Sequence, residues 1–469
     1  MMSDALRLVP PKVRPPLDDD FRPAALANRT FQMEVDAAGG GVPLVIGLER
    51  EGGYTSRLER RVLPETHAGA EANLEFAERL LKFLLWQKGG WKAYIGGPTV
   101  IGEHLRYCYS AEGPRAFDYH FMGEDVYERD FTVVPCLAAA VPPETESAKP
   151  LGRHLDGCRI GFDLGASDRK VSAVIEGEVV YSEEVVWDPR AQSDPDYHYQ
   201  HIMAALRAAY GKLPRVDAIG GSAAGIYIDN RVRIASLFRG VPKERYGEVR
   251  TLFLRLQDEL GVPLEIVNDG DVTALAGSMS LEDNPVLGIA MGSSEAGGYV
   301  NRDGNITGWL NELAFAPVDY SRTAPADEWS GDRGVGALYF SQQCVFRLAP
   351  RAGIQIPADL DKALQLEHVQ RLLESGHPGA QGIWQSIGVY LGYAIAHYAD
   401  FYDLKHVLIL GRCTSGKGGS LILEGAGQVL REEFPELAGR IALQLPDEKS
   451  RRVGQSIAAA SLPAIRSRS

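Results

Sequence analysis

Along the carboxy-terminal two-thirds of the chain, short apolar runs alternate with longer segments whose apolar residues recur every three to four positions. The runs predict buried strands and the longer segments predict helices. Strands are expected at 158–164, 170–175, 178–186, 218–221, 264–267, 286–291, 298–300 and 406–410. Helices are expected at 198–210, 244–260, 271–278, 368–372, 380–402 and 454–460. Such alternation predicts an α/β fold. The stretch from Trp384, WQSIGVYLGYAIAHYADFY, is apolar nearly all round. It predicts a buried helix, or one that lies in a subunit interface.

The stretch at 140–151, AVPPETESAKPL, breaks the pattern with prolines, glutamates and small residues. That composition marks a linker. The expected organisation is a flexible arm at 1–30, an extra amino-terminal α/β domain at 31–140, a linker at 141–157 and the main region at 158–469. The extra domain echoes the start of the main region. VIGLEREGGYTSRLERRVLP from Val45 lines up with RIGFDLGASDRK from Arg159. A helix at 71–87 follows, then KAYIGGP from Lys92, which parallels DAIGGS from Asp217. The expectation is a degenerate copy of one subdomain, with Glu49 where the second copy has Asp163. Two unrelated strand–helix–strand stretches can also be aligned this well. Arg50 and Glu51 directly follow Glu49, so no working phosphate site is expected there.

Three strand-to-turn junctions in the main region carry the chemistry. They are IGFDLGASDRK from Ile160, VNDGD from Val267 and GIAMGSSEAGGYV from Gly288. Each ends an apolar run in a turn of glycine, serine or acidic residues. Bare amides in such turns approach phosphate oxygens closely. A carboxylate at a strand end, such as Asp163 beside Gly165 and Ser167, can hold a magnesium ion through water. Each motif alone is also an ordinary turn, and Asp269 equally fits a helix N-cap.

The 469 residues suffice for two or three domains. The formal net charge of −13, with no long basic run, argues against nonspecific nucleic-acid binding. Cys108, Cys136, Cys158, Cys344 and Cys413 are scattered. They read as reduced thiols of a cytosolic (cytoplasmic) protein and not as a zinc site. No apolar run reaches the roughly 20 residues of a membrane span. The start, MMSDALRLVPPKVRPPLDDD, has Pro and Asp where an export signal needs an apolar core.

The order of the three junctions resembles the ROK family of sugar kinases, within the actin, hexokinase and Hsp70 superfamily. The resemblance covers about 159–463. It implies an actin-like ATPase (ribonuclease H-like), two-lobed kinase fold, here with an additional α/β N-terminal domain. It further implies ATP and Mg²⁺ as cofactors and a sugar as the phosphoryl acceptor. The family's D-x-G-G-T loop appears as D-L-G-A-S, which keeps Asp163 and Gly165 and places Ser167 at the hydroxyl position. Its E-N-D-A-N motif appears as V-N-D-G-D, which implies Asp269 as catalytic base and Asn268 as a sugar ligand. GSAAGI from Gly221 and RIASLFRGV from Arg233 resemble the sugar-side loop and imply roles for Gly225 and Arg239. NELAF from Asn311 stands for G-E-x-G-H, so Glu312 takes the place of the glutamate that grips sugar hydroxyls. The second phosphate loop, from Gly292, keeps Gly292 and Ser293 among others. The adenosine loop keeps Gly411, with Arg412 in place of a second glycine.

The departures matter as much. Glu295 in the phosphate loop would repel phosphates unless it faces away or meets magnesium. Phe315 replaces the family's histidine, and the C-x-C-G-x-x-G-C knuckle is missing, so no zinc is expected. Arg412 either stacks on adenine or reaches phosphate, or else it blocks the pocket. GRCTSGKGG is not a P-loop, because Gly418 follows Lys417. The runner-up is a noncatalytic, regulatory member of the same fold that binds sugar or nucleotide. A transcription factor would need a basic recognition helix, and a reductase-activating ATPase would need cluster-binding cysteines. Neither is present. No nucleic-acid or membrane partner is expected, and a homodimer is left open.

Overall fold

The structure, a computed structural model, describes residues 6–146, 151–446 and 448–465. The amino-terminal third forms α1 (Ala24–Ala37), β1 (Val42–Glu49), β2 (Thr55–Val62), α2 (Ala72–Lys88), β3 (Lys92–Gly96), α3 (Thr99–Cys108), α4 (Ala116–His120) and β4 (Thr132–Cys136). Its sheet has the order β2-β1-β3-β4.

Lobe one contains β5 (Cys158–Leu164), β6 (Asp168–Ile175), β7 (Glu178–Val186), α5 (Pro195–Tyr210) and β8 (Ala218–Ala223). The hairpin β9 (Ile226–Ile228) and β10 (Arg231–Ile234) follows, then α6 (Tyr246–Arg250), α7 (Leu252–Leu260) and β11 (Leu264–Asn268). The sheet order is β11-β8-β5-β6-β7. The single helix expected at 244–260 breaks at Thr251, whose hydroxyl bonds back to the Gly247 carbonyl.

Lobe two begins with α8 (Asp269–Leu281), β12 (Val286–Met291) and β13 (Glu295–Val300). It continues through α9 (Gln342–Leu348), α10 (Lys362–Glu374), α11 (Pro378–Tyr398), β14 (His406–Leu410), α12 (Lys417–Glu433), α13 (Pro435–Ala438), β15 (Ala442–Gln444) and α14 (Glu448–Ala460). The order of its sheet is β13-β12-β14-β15. Helix α14 returns to pack on α8 and on β5, so it straddles the two lobes. Parallel pairing of β5, β8 and β11 brings three strand ends to one edge, with Asp163 opposite Ser222 and Val267 also opposite Ser222.

Two expectations are corrected. The first is the arm. Residues 1–5 lie outside the described residues, but the rest of 1–30 is packed. Phe21 is buried against Tyr390, with ring centroids 4.8 Å apart. Asp18 accepts a 2.7 Å bond from the Tyr390 hydroxyl and pairs with Arg347 and Arg351. Its irregular backbone hid anchors that only α11 reveals.

The second is the repeat. In lobe one, three strands precede α5, and β8 runs parallel to β5. In the amino-terminal third, only two strands precede α2, and β3 runs antiparallel to β1. One fewer strand reverses the direction in which the chain leaves the hairpin, so the topology differs. Glu49 is bonded by the Tyr94 hydroxyl at 2.8 Å.

The amino-terminal third shares one hydrophobic core with lobe two. Phe83 stacks on Phe401 at 4.0 Å. Residues 147–150 of the expected linker lie outside the described residues. Helix α11 is buried, as its pattern predicts, but α12, α1 and the arm cover it within the chain.

Candidate active site

Asp163 is the penultimate residue of β5, and its Oδ1 accepts a 2.6 Å bond from the Ser222 hydroxyl. Burial raises its pKa, while the Ser222 bond and Lys170 pull the other way. The turn after it is closed by Gly165 N–H donating to the Asp168 carbonyl at 2.9 Å. Ser167 is exposed, and its hydroxyl leans on Asp168 at 3.0 Å.

Asn268 ends β11 and caps α8. Its Oδ1 accepts from Gly270 N–H at 2.7 Å, and its Nδ2 donates to the Gly225 carbonyl at 2.9 Å. The cap expected of Asp269 therefore belongs to Asn268. An amide has two N–H groups and two lone pairs, so Asn268 keeps one donor and one acceptor for a ligand. Gly225 has φ +136°, and a Cβ there would strike the Ile234 carbonyl. Only glycine suits that bend.

Asp269 opens α8 and accepts from the Gly270 amide at 3.0 Å. Burial, then the nearby Asp163, pushes its pKa up to about 6. Glu312 is pushed up to about 7 by burial and then by Asp269. These shifts bring Asp163, Asp269 and Glu312 into one electrostatic neighbourhood. The Arg239 side chain is exposed, with no hydrogen bond among the described residues.

The nucleotide-side residues meet at the end of lobe two's sheet. Gly411 has φ +96°, and a Cβ there would collide with the Met291 backbone. Its absence lets the end of β14 press against β12, beside Gly292 and the exposed Ser293. Gly411 and Arg412 line a cavity of about 530 Å³ with Thr273, Gly277 and Ser415. Arg412 is part of the wall and does not fill the space. Glu295 is 3% exposed and turns inward, directly against Gly336, while Ser293 and Ser294 face outward. Burial pushes its pKa up to about 8.

The loop that carries Glu312 shows what the sequence hid. The amides of Asn311 and Glu312 donate to the carbonyls of Gln87 and Trp86 at 2.9 and 3.0 Å. Both acceptors end α2, in the amino-terminal third. Phe315 packs on Trp86 at 4.3 Å, beside Phe117 and Phe121. Trp309 donates to Glu146, which also pairs with Arg50. From lobe two, Asp271 accepts from Asn311 Nδ2 at 3.0 Å and from the Tyr299 amide at 3.1 Å. Asp271, pushed up to about 8 by burial, is a site neighbour that the sequence reading missed. Its only sequence signal was the final aspartate of V-N-D-G-D.

Among the described residues no group of three or more His, Cys, Asp or Glu forms a metal cage. No helix among them is long and apolar enough to cross a membrane. Magnesium bound with a nucleotide needs only one or two carboxylates besides phosphate oxygens. Asp163, at a strand end beside Gly165, fits that requirement.

A ROK hexokinase from Thermus thermophilus superposes on 65% of this chain and 97% of its own, at 17% identity and a TM-score of 0.51. The chain has the ROK fold. A ROK family transcriptional regulator, a homologue of the E. coli MLC protein, covers 66% of this chain and 79% of its own. It is 17% identical, with a TM-score of 0.50. No family model and no curated protein matches the sequence. Within this fold, the strand ends at Asp163 and Asn268 lie at one edge of lobe one's sheet.

Proposed function

We propose that this protein transfers the γ-phosphoryl group of ATP to a sugar hydroxyl, acting in the cytoplasm. The observation that supports this best is Asp269, a carboxylate at a strand-to-helix junction with a proton affinity near neutrality. A general base works best when its pKa lies close to the working pH. Asp269 accepts the hydroxyl proton as oxygen attacks phosphorus. Glu312 and the free donor and acceptor of Asn268 orient the sugar, and Gly225 shapes the loop beside it. When MgATP is bound, ATP would supply the phosphoryl group and Mg²⁺ the positive charge that offsets its oxygens. Asp163 would hold that ion through water. Amides at Ser167 and Ser293 would face the phosphates, in turns that Gly165 and Gly292 close by donating to the Asp168 and Ser294 carbonyls, and Gly411 and Arg412 would wall the base. Closing the lobes excludes water, so that phosphoryl transfer outruns hydrolysis.

A second reading is a noncatalytic protein that binds sugar or nucleotide. Phe315, which stands where the resembled family has a histidine and packs on Trp86, favours it, and the fold serves both a hexokinase and a transcriptional regulator. A screen of sugars for ADP release separates the two, with Asp269→Asn as control. Sugar-dependent release that falls with Asp269→Asn supports the kinase. Sugar binding without release from the unmodified protein supports the second reading.

A further inference from the structure

Away from the cleft, a cavity of about 550 Å³ opens between the amino-terminal third and the 319–333 loop of lobe two. Its walls carry charges of both signs; Glu71 and Arg333 are exposed, and the buried and half-buried charges are committed to one another or to neighbouring groups. Arg79 donates to Glu78 at 2.6 and 2.8 Å and to Asp332 at 3.1 Å. Arg115 pairs with the same two carboxylates, at 2.5 and 2.6 Å. Arg322 holds both oxygens of Glu75. An ion entering its buried part would have to break one of these pairs and leave a charge uncompensated there, which is strongly unfavourable.

A neutral ligand with hydroxyl groups meets no such obstacle. The pairs place donors and acceptors side by side, and carboxylate and guanidinium groups have more bonding positions than one partner uses. Tyr320, 5% exposed, is part of the wall. Leu74 and Tyr107 supply apolar surface, and the Tyr107 ring stands 64% exposed at the rim. A sugar ring has this same two-sided character, with an apolar C–H face and a hydroxyl edge. The volume falls in the range typical of small-molecule pockets.

The cavity is also joined to the cleft. Glu75, Glu78 and Arg79 lie midway along α2, and Trp86 and Gln87 at its end accept the amides of Glu312 and Asn311. From Arg79 to Trp86 is about 10 Å of helix at ~1.5 Å per residue. We propose that this cavity binds a neutral sugar, separately from any acceptor in the cleft, and that α2 carries its occupancy to the Glu312 loop.

The test uses the full chain with the cleft disabled by Asn268→Ala and Glu312→Ala, so it does not depend on the kinase reading. Glucose, N-acetylglucosamine and maltose are titrated by calorimetry. At least one should saturate a single site. Tyr107→Ala, an exposed change that leaves folding intact, should weaken it by about tenfold. His104→Trp, which fills the cavity, should abolish it. At saturation, hydrogen exchange at the amides of residues 311 and 312 should slow. Absence of saturable binding by all three sugars, or binding that ignores both cavity substitutions, overturns the site. Exchange unchanged at saturation overturns the link through α2.

Discussion

The Glu312 amide donates a 3.0 Å hydrogen bond to the Trp86 carbonyl, so a residue of the amino-terminal third fixes the position of a cleft carboxylate. Trp86 is fully buried, and its ring packs against Phe315 three residues beyond Glu312.

Trp86→Ala should therefore raise the KM for the sugar more than it lowers kcat. It should also cost about 3–5 kcal/mol of stability, as large-to-small core changes do. Trp86→Phe should recover most of both, because the aromatic contact survives. Steady-state kinetics with chemical denaturation checks this. An unchanged sugar KM in a folded Trp86→Ala protein would show that α2 does not position the loop.

Asp269→Asn should cut turnover by on the order of 10²–10⁴-fold with sugar affinity nearly intact. In the unmodified protein, kcat/KM should rise with pH through about 6, since the base must be unprotonated to act. A flat profile from pH 5 to 8 would remove Asp269 from that role.

Asp163→Asn should weaken MgATP binding measured by calorimetry. It should also move the acid limb of the kcat/KM profile to lower pH. The sign follows from charge, because Asp163 raises the pKa of Asp269 and its neutral replacement no longer does. MgATP affinity equal to that of the unmodified protein would refute the magnesium role.

Glu295 and Asp271 are both pushed up to about 8 from ordinary values of 4.5 and 3.8. Between those values and 8 the folded chain holds protons that the unfolded chain has released. Their contribution is fully present below the ordinary values and is lost as pH rises through 8. Lys88, pushed down to about 7 by burial, acts in the opposite direction above pH 7. The decisive comparison is therefore with Glu295→Gln/Asp271→Asn, which should lose less Tm between pH 6 and 8.5 than the unmodified protein. Equal losses in thermal melts would contradict neutral carboxyls at these positions.

Much of the main region was legible because its strands are short apolar runs that end in distinctive turns. Predicted strands 158–164, 178–186, 286–291 and 406–410 coincide with β5, β7, β12 and β14. A local pattern suffices in β5, β12 and β14, where burial on both faces dictates composition, while β7 is an exposed edge strand. Glu295 was visible as an anomaly, but its direction was not. Whether a side chain at the start of β13 faces phosphate or core depends on strand register, which is set by pairing with β12.

The amino-terminal third shows the other limit. Its sequence indicated a hairpin, a helix over 71–87, found at 72–88, and a strand from Lys92, because periodicity and glycine turns are local signals. The direction of β3, the anchoring of Phe21 on α11 and the grip of α2 on the Glu312 loop were decided only by tertiary structure. Each depends on partners hundreds of residues away or on the number of strands crossed. Trp86, Phe315 and Glu312 carry no mark in sequence that they meet. Folding brings them together because one core, shared with lobe two, buries the apolar face of α2.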